Sequence, residues 1–169
     1  MRWQYRSRTP FNAPLAIALA IAALVAPTAT SAVVEEDYVV VVSPDVPVSD
    51  LSLDELRRLF VFRQKFWTAS LPVTVLYSDE GLAPGSFLLD RIYRLEHRSL
   101  KRLILEKLYS GEIDLAPKVV STDKAIVDFV GAGQGLIGLV RADVVAGDSV
   151  KILTIEGKAP DAEDYPLRR

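Results

Sequence analysis

Apolar and polar positions follow two rhythms along this chain: short β-branched runs, and stripes at helical spacing, parted by Pro- and Gly-rich breaks. Tyr38–Val42 is a continuous apolar run, the pattern of a strand buried on both faces in a parallel sheet. Ser43-Pro-Asp-Val-Pro47 breaks it. A helix is predicted to start at Ser52, because Ser52 and Glu55 have the spacing of a capping box and Leu51 and Leu56 can close a hydrophobic staple. Leu53, Leu56, Leu59 and Phe60 supply its apolar stripe. Asp54 and Glu55 precede Arg57 and Arg58, the order that complements a helix dipole.

Further along, Pro72–Tyr77 reads as a second strand and Ser78–Gly85 as a turn-rich loop. Ser86 can cap a helix running to about Glu96, with Phe87, Ile92 and Leu95 inward, and another begins at Ser99 with Leu100, Leu103, Ile104 and Leu108 inward. After the loop Gly111–Pro117, Val119-Val120 has the makings of a short strand. Ser121 or Thr122 caps a helix with Ala125, Ile126, Phe129 and Val130 on one face. Leu136–Val140 and Lys151–Ile155 are strand candidates, and the charged segment from Glu156, with Pro160 and Pro166, is expected to be a mobile tail. Strands alternating with helices predict a single α/β domain over 33–155, with a mixed, mostly parallel sheet flanked by helices.

Gly133, Gly135 and Gly138 satisfy G-x-G-x-x-G, the spacing of a dinucleotide cradle. That cradle needs a strand entering the glycines and a helix leaving, so that the helix N-terminus faces the pyrophosphate. Here a helix enters and a strand leaves. The glycines are read as a helix stop and a turn.

Composition adds an address. The first 32 residues hold Arg2, Arg6 and Arg8 and no acid, then an alanine-rich apolar run over 13–26, then Thr30-Ser31-Ala32. This is the layout of a secretory signal peptide cleaved near Ala32, which predicts a periplasmic or secreted protein; an uncleaved anchor is the alternative. Removing those three arginines from the 20 basic residues leaves 17 against 22 acids, a formal charge of −5. That balance argues against general nucleic-acid binding. With no cysteine and a single histidine, His97, the sequence offers no thiolate or histidine metal site and no Ser-His hydrolase pairing. No catalytic residue and no cofactor are expected.

Three segments in order resemble the periplasmic phosphate-binding protein family of ABC importers, a type II solute-binding fold. Val48–Phe60, followed by Arg63, Lys65 and Trp67, is similar to that family's Ser-Leu-x-x-Leu-x-x-Ile-Phe-x-Gly entry to its second lobe. Pro72–Phe87 looks like its strand, anion loop and helix start, and Ser121–Val140 like its helix and Pro-Gly-Ala-Ile-Gly-Tyr-Val return. The resemblance implies one periplasmic-binding type II lobe, and only part of a two-lobed cleft. It implies anion contacts at Ser78, Gly85 and Ser86, with phosphate or another small oxyanion as ligand. The chain departs from the family in two ways: no arginine follows the strand at Ser78-Asp79-Glu80, and Phe62 stands where the family usually has glycine.

Two functions therefore stand side by side. One is solute binding for transport or sensing, with the oxyanion held at a helix N-terminus. The other is a non-catalytic adaptor that kept the fold, lost the ligand and docks a membrane or envelope protein. Two surfaces could serve the second: Arg57, Arg58, Arg63 and Lys65 near Phe66 and Trp67, or the basic stretch from Arg91 to Lys107, which could meet a membrane surface or an acidic partner.

Overall fold

The computed structural model describes residues 37–113 and 117–168; the predicted leader, residues 1–32, lies outside the described residues. Its elements are β1 (Tyr38–Val42), β2 (Asp50–Leu51), α1 (Leu53–Phe60), β3 (Phe66–Thr68), β4 (Leu71–Pro72) and β5 (Thr74–Ser78). A π-helical stretch (Leu88–Tyr93), α2 (His97–Tyr109), β6 (Lys118–Val120), α3 (Asp123–Ala132), β7 (Leu136–Arg141), β8 (Lys151–Ile152) and β9 (Thr154–Ile155) follow. Five strands form the main sheet in the order β6-β5-β7-β1-β8, while β2 pairs with β9 and β3 with β4 in two small ribbons. β5 is parallel to both β6 and β7, and β1 is antiparallel to β7 and β8. Four of the five strands thus share one direction, the mostly parallel α/β sheet that the alternation of elements predicts.

β1 is buried on both faces, but it runs against its neighbours rather than with them. The apolar run reports only that both sheet faces are covered; it carries no information on strand direction. Val40 and Val42 join Val75, Tyr77, Ile137 and Leu139 in the larger core, under α1, the π-helical stretch and Leu100 of α2. Val39 and Val41 point the other way, into a smaller core with Leu76, Val140 and Ile126, Val127 and Val130 of α3. Period-two alternation along one strand therefore feeds two cores.

Helix α1 begins as its sequence dictates. Glu55 N–H donates to Ser52 Oγ at 3.2 Å, and the Ser52 N–H donates back to Glu55 Oε2 at 2.9 Å. At its other end Phe62 adopts φ +61, the left-handed backbone for which glycine is the usual residue, so the chain makes that turn without the glycine.

Four expectations change. Pro72 belongs to the β3–β4 ribbon, opposite Phe66, so β5 starts only at Thr74. The helix after Ser86 is a short π-helical stretch, ended by Arg94 at φ +51; the wide turn lets Leu88, Leu89, Ile92 and Tyr93 all reach the core. Lys151–Ile155 is two strands in two different sheets, since Leu153 turns inward between them. The segment 156–168 is not a loose tail. Tyr165 and Leu167 are buried in the main core, Leu167 O accepts from Tyr38 N–H at 3.3 Å, and Arg168 Nε lies 3.0 Å from Asp37 Oδ1. Two apolar residues among the charges are enough to fasten it, and the domain extends to the end of the described residues.

Candidate functional site

Parallel strands present their carboxyl ends on one side of a sheet, where open α/β folds hold their ligands. β5 ends there at Ser78 and β7 at Arg141, α3 starts there at Asp123 after β6, and the reversed β1 begins there at Tyr38, opposite Arg141. A pocket of about 270 Å³ opens at this edge, lined by Tyr38, Glu80, Gly81, Ala83, Pro84, Gly85, Ser86, Leu88, Asp123, Leu139 and Arg141. It is smaller than the cavities that hold drug-sized molecules and suits a small, compact solute.

The loop wall is built by local hydrogen bonds. Ser78 O accepts from Leu82 N–H at 3.0 Å and Ser86 N–H donates to Ala83 O at 3.0 Å. Ser86 Oγ donates to Gly81 O at 2.6 Å and accepts from Leu89 N–H at 3.4 Å. Gly85 makes the turn at φ +76, and its missing side chain leaves open space at the pocket mouth. Tyr38 stacks on Phe87, ring centroids 4.6 Å apart, and so closes the side next to β1.

Of the three residues expected in the site, Gly85 and Ser86 line the pocket and Ser78 lies behind it. Ser78 is only 1% exposed; its hydroxyl hydrogen-bonds Asp123 Oδ1 and accepts from Gly81 N–H at 2.9 Å. Asp123 is itself buried, and its Oδ2 accepts from Arg141 N–H at 3.1 Å. Each of its oxygens keeps a further lone pair, so the carboxylate can accept from a ligand that brings a proton. Glu80 adds a second carboxylate to the wall.

Arg141 and Asp123 are the residues that the sequence reading missed. No spacing in the sequence marks Asp123, and the resemblance puts an arginine after β5, not at the end of β7. The available signal was Arg141 itself, a lone cation closing the run Leu136–Val140 at a strand's carboxyl end. Its Nε is buried, lies 3.4 Å from Asp143 Oδ1 and makes no hydrogen bond. Among the described residues no group of acidic or histidine side chains is arranged to hold a metal ion.

This α/β lobe, with its pocket outside the strand ends, has a fold seen in known proteins. Three solved structures share it. The first, from Clostridium perfringens, is described as a phosphate ABC transporter substrate-binding protein with bound phosphate; it matches at a TM-score of 0.55 and 14% identity, over 74% of this chain and 47% of that one. An ABC-type phosphate transport receptor from Vibrio cholerae matches at 0.54 and 19%, over 79% of this chain and 54% of its own. PstS from Borrelia burgdorferi matches at 0.53 and 14%, over 79% and 55%. The chain thus spans about half the length of these structures. No protein-family model matches it. No curated protein matches it either.

Proposed function

We propose that this chain is a non-catalytic solute-binding lobe of the phosphate-binding type, exported by residues 1–32 to act outside the cytoplasmic membrane, for transport or sensing with a membrane partner. Its ligand is a small oxyanion carrying a proton, phosphate first among them. The observation that carries this reading is the pocket at the ends of β5 and β7, which joins Gly85, Ser86, Arg141 and Asp123 around about 270 Å³. Arg141 supplies the positive charge that the loop after β5 lacks, and the Ser86 hydroxyl can turn from Gly81 O toward a ligand. Asp123 accepts a hydrogen bond from the ligand's protonated oxygen, which favours hydrogenphosphate over fully ionised sulfate. Ser78 acts one step back, holding Asp123.

A second reading, the adaptor that lost its ligand, draws on a specific feature: Glu80 and Asp123 put two carboxylates on the pocket wall against one arginine. Calorimetric titration separates the two. A charge-assisted hydrogen bond contributes about 1.5–3 kcal/mol, so Arg141→Gln is expected to weaken phosphate binding by at least about tenfold, and sulfate is expected to bind less well than phosphate. Saturable phosphate binding that Arg141→Gln leaves unchanged contradicts the assignment of the site. No saturable heat from any oxyanion favours the adaptor.

A further inference from the structure

Helix α2 buries one side and leaves the other uncovered. Leu100 is buried, and Leu103 and Ile104 pack partly against the main core. The opposite face, at helical spacing, presents Arg98, Lys101 and Arg102, all exposed, with Leu105 at 43% and Tyr109 at 89% exposure set among them. Leu95 and Arg94, just before the helix, are exposed as well.

The charge on this face runs against that of the molecule. Between residues 91 and 109 six cations stand against Glu96 and Glu106, whereas the rest of the chain from residue 33 carries twenty acids against eleven cations. Lys107 is turned away to Glu112, 2.5 Å distant, so the outward cations are those of the Arg98–Arg102 turn with Arg91 and Arg94 beside it. An acidic body with one basic face is oriented by any extended negative surface before it touches it. What touches is an exposed helix side on which leucine and tyrosine sit among lysine and arginine, the pattern of helices that lie in the headgroup region of a bilayer.

We propose that this face of α2 docks the protein on anionic phospholipid, with Arg94, Arg98, Lys101 and Arg102 on the headgroups and Leu105 and Tyr109 entering the interface. The proposal goes beyond solute binding and does not depend on it: none of these six residues lines the oxyanion pocket, although Arg94 and Arg98 line an adjoining groove that shares Pro84 and Gly85 with it. A flat array of headgroups matches the exposed side of a single helix, and the groove beside it, lined by Arg94, Leu95 and Arg98 with Pro84 and Gly85, has room for a headgroup.

The chain has no native cysteine, so a full-length Leu105→Cys protein carrying an environment-sensitive dye reports this face alone. The same dye at exposed Asp161, as Asp161→Cys, is the reference. With vesicles containing phosphatidylglycerol the label at 105 is expected to shift to the blue, far less so with pure phosphatidylcholine, and less again as salt rises, while the label at 161 stays still. Each headgroup-facing cation is expected to contribute about fivefold, so replacing Arg98, Lys101 and Arg102 together by glutamine lowers the apparent affinity read at 105 by roughly a hundredfold. These are exposed positions, and circular dichroism of the variant is expected to match the parent. A label at 105 that ignores the vesicles overturns the proposal, even where the chain still sediments with them. So does a label that answers equally to both lipids, or one that responds only to an added acidic protein.

Discussion

Gly135 holds the turn between α3 and β7 through three separate demands. Its φ of +66° is left-handed, and a Cβ placed on it would lie 2.2 Å from Pro72 O. Its carbonyl accepts from Thr74 N–H at 3.1 Å and from Trp67 Nε1–H at 2.9 Å, while its N–H donates to Asp45 Oδ1 at 3.2 Å. Gly135→Ala is therefore expected to reduce unfolding free energy by about 2–4 kcal/mol, seen as a lower urea midpoint; an unchanged midpoint would show that the backbone there gives way freely. Another residue-level device fills the main core. Tyr77 and Tyr93 share a hydrogen bond, and since each phenol has one proton, the Tyr93 hydroxyl donates at 2.6 Å to Phe60 O, a carbonyl at the end of α1 that the helix itself leaves unpaired, while the Tyr77 hydroxyl donates to Tyr93. Burial pushes both phenols well above their ordinary pKa, so they stay neutral donors. The sequence announces Gly135, because a G-x-G run between a helix and a strand needs a turn. It does not announce the carbonyl that Trp67 reaches, nor that Arg141 and Asp123 meet, since each meeting joins residues far apart in the chain.

Among the elements, α1 is the one whose cause is wholly local. Ser52 and Glu55 exchange their hydrogen bonds within four residues, and Leu51 and Leu56 are both buried. Ser52→Ala is expected to lower stability by about 1 kcal/mol, measured by thermal or denaturant melting. The bonds from the Ser52 amide and hydroxyl hold the Glu55 carboxyl below its ordinary pKa. The cap is thus at full strength above the ordinary glutamate range and weakens as pH falls through the lowered value, so the penalty of Ser52→Ala shrinks in acid. A penalty that is constant from neutral to acid pH would contradict the reciprocal cap. Local causes are why α1 and α3, with Thr122 accepting from Ala125 N–H at 3.2 Å, could be read directly from residue spacing. β1 was legible as a strand but not in its direction, and 156–168 was misread, because its order comes from Tyr165 and Leu167 reaching a core assembled by other elements.

For the whole molecule, topology places the candidate site. Parallel β5, β6 and β7 bring Ser78, the start of α3 and Arg141 to a common edge, and antiparallel β1 adds Tyr38 to that edge from its other end. The region spans about half the length of the phosphate-transport structures that it resembles, and its pocket is walled from one side by the 80–88 loop. The central claim is that an oxyanion enters there. Backbone amide resonances followed by NMR during titration with phosphate, and separately with sulfate, test this most directly. Saturable shifts confined to residues 78–88, 123 and 141, stronger with phosphate, are predicted. Resonances that stay still, or that drift together across the molecule at high salt, would contradict the claim that this edge is a binding site.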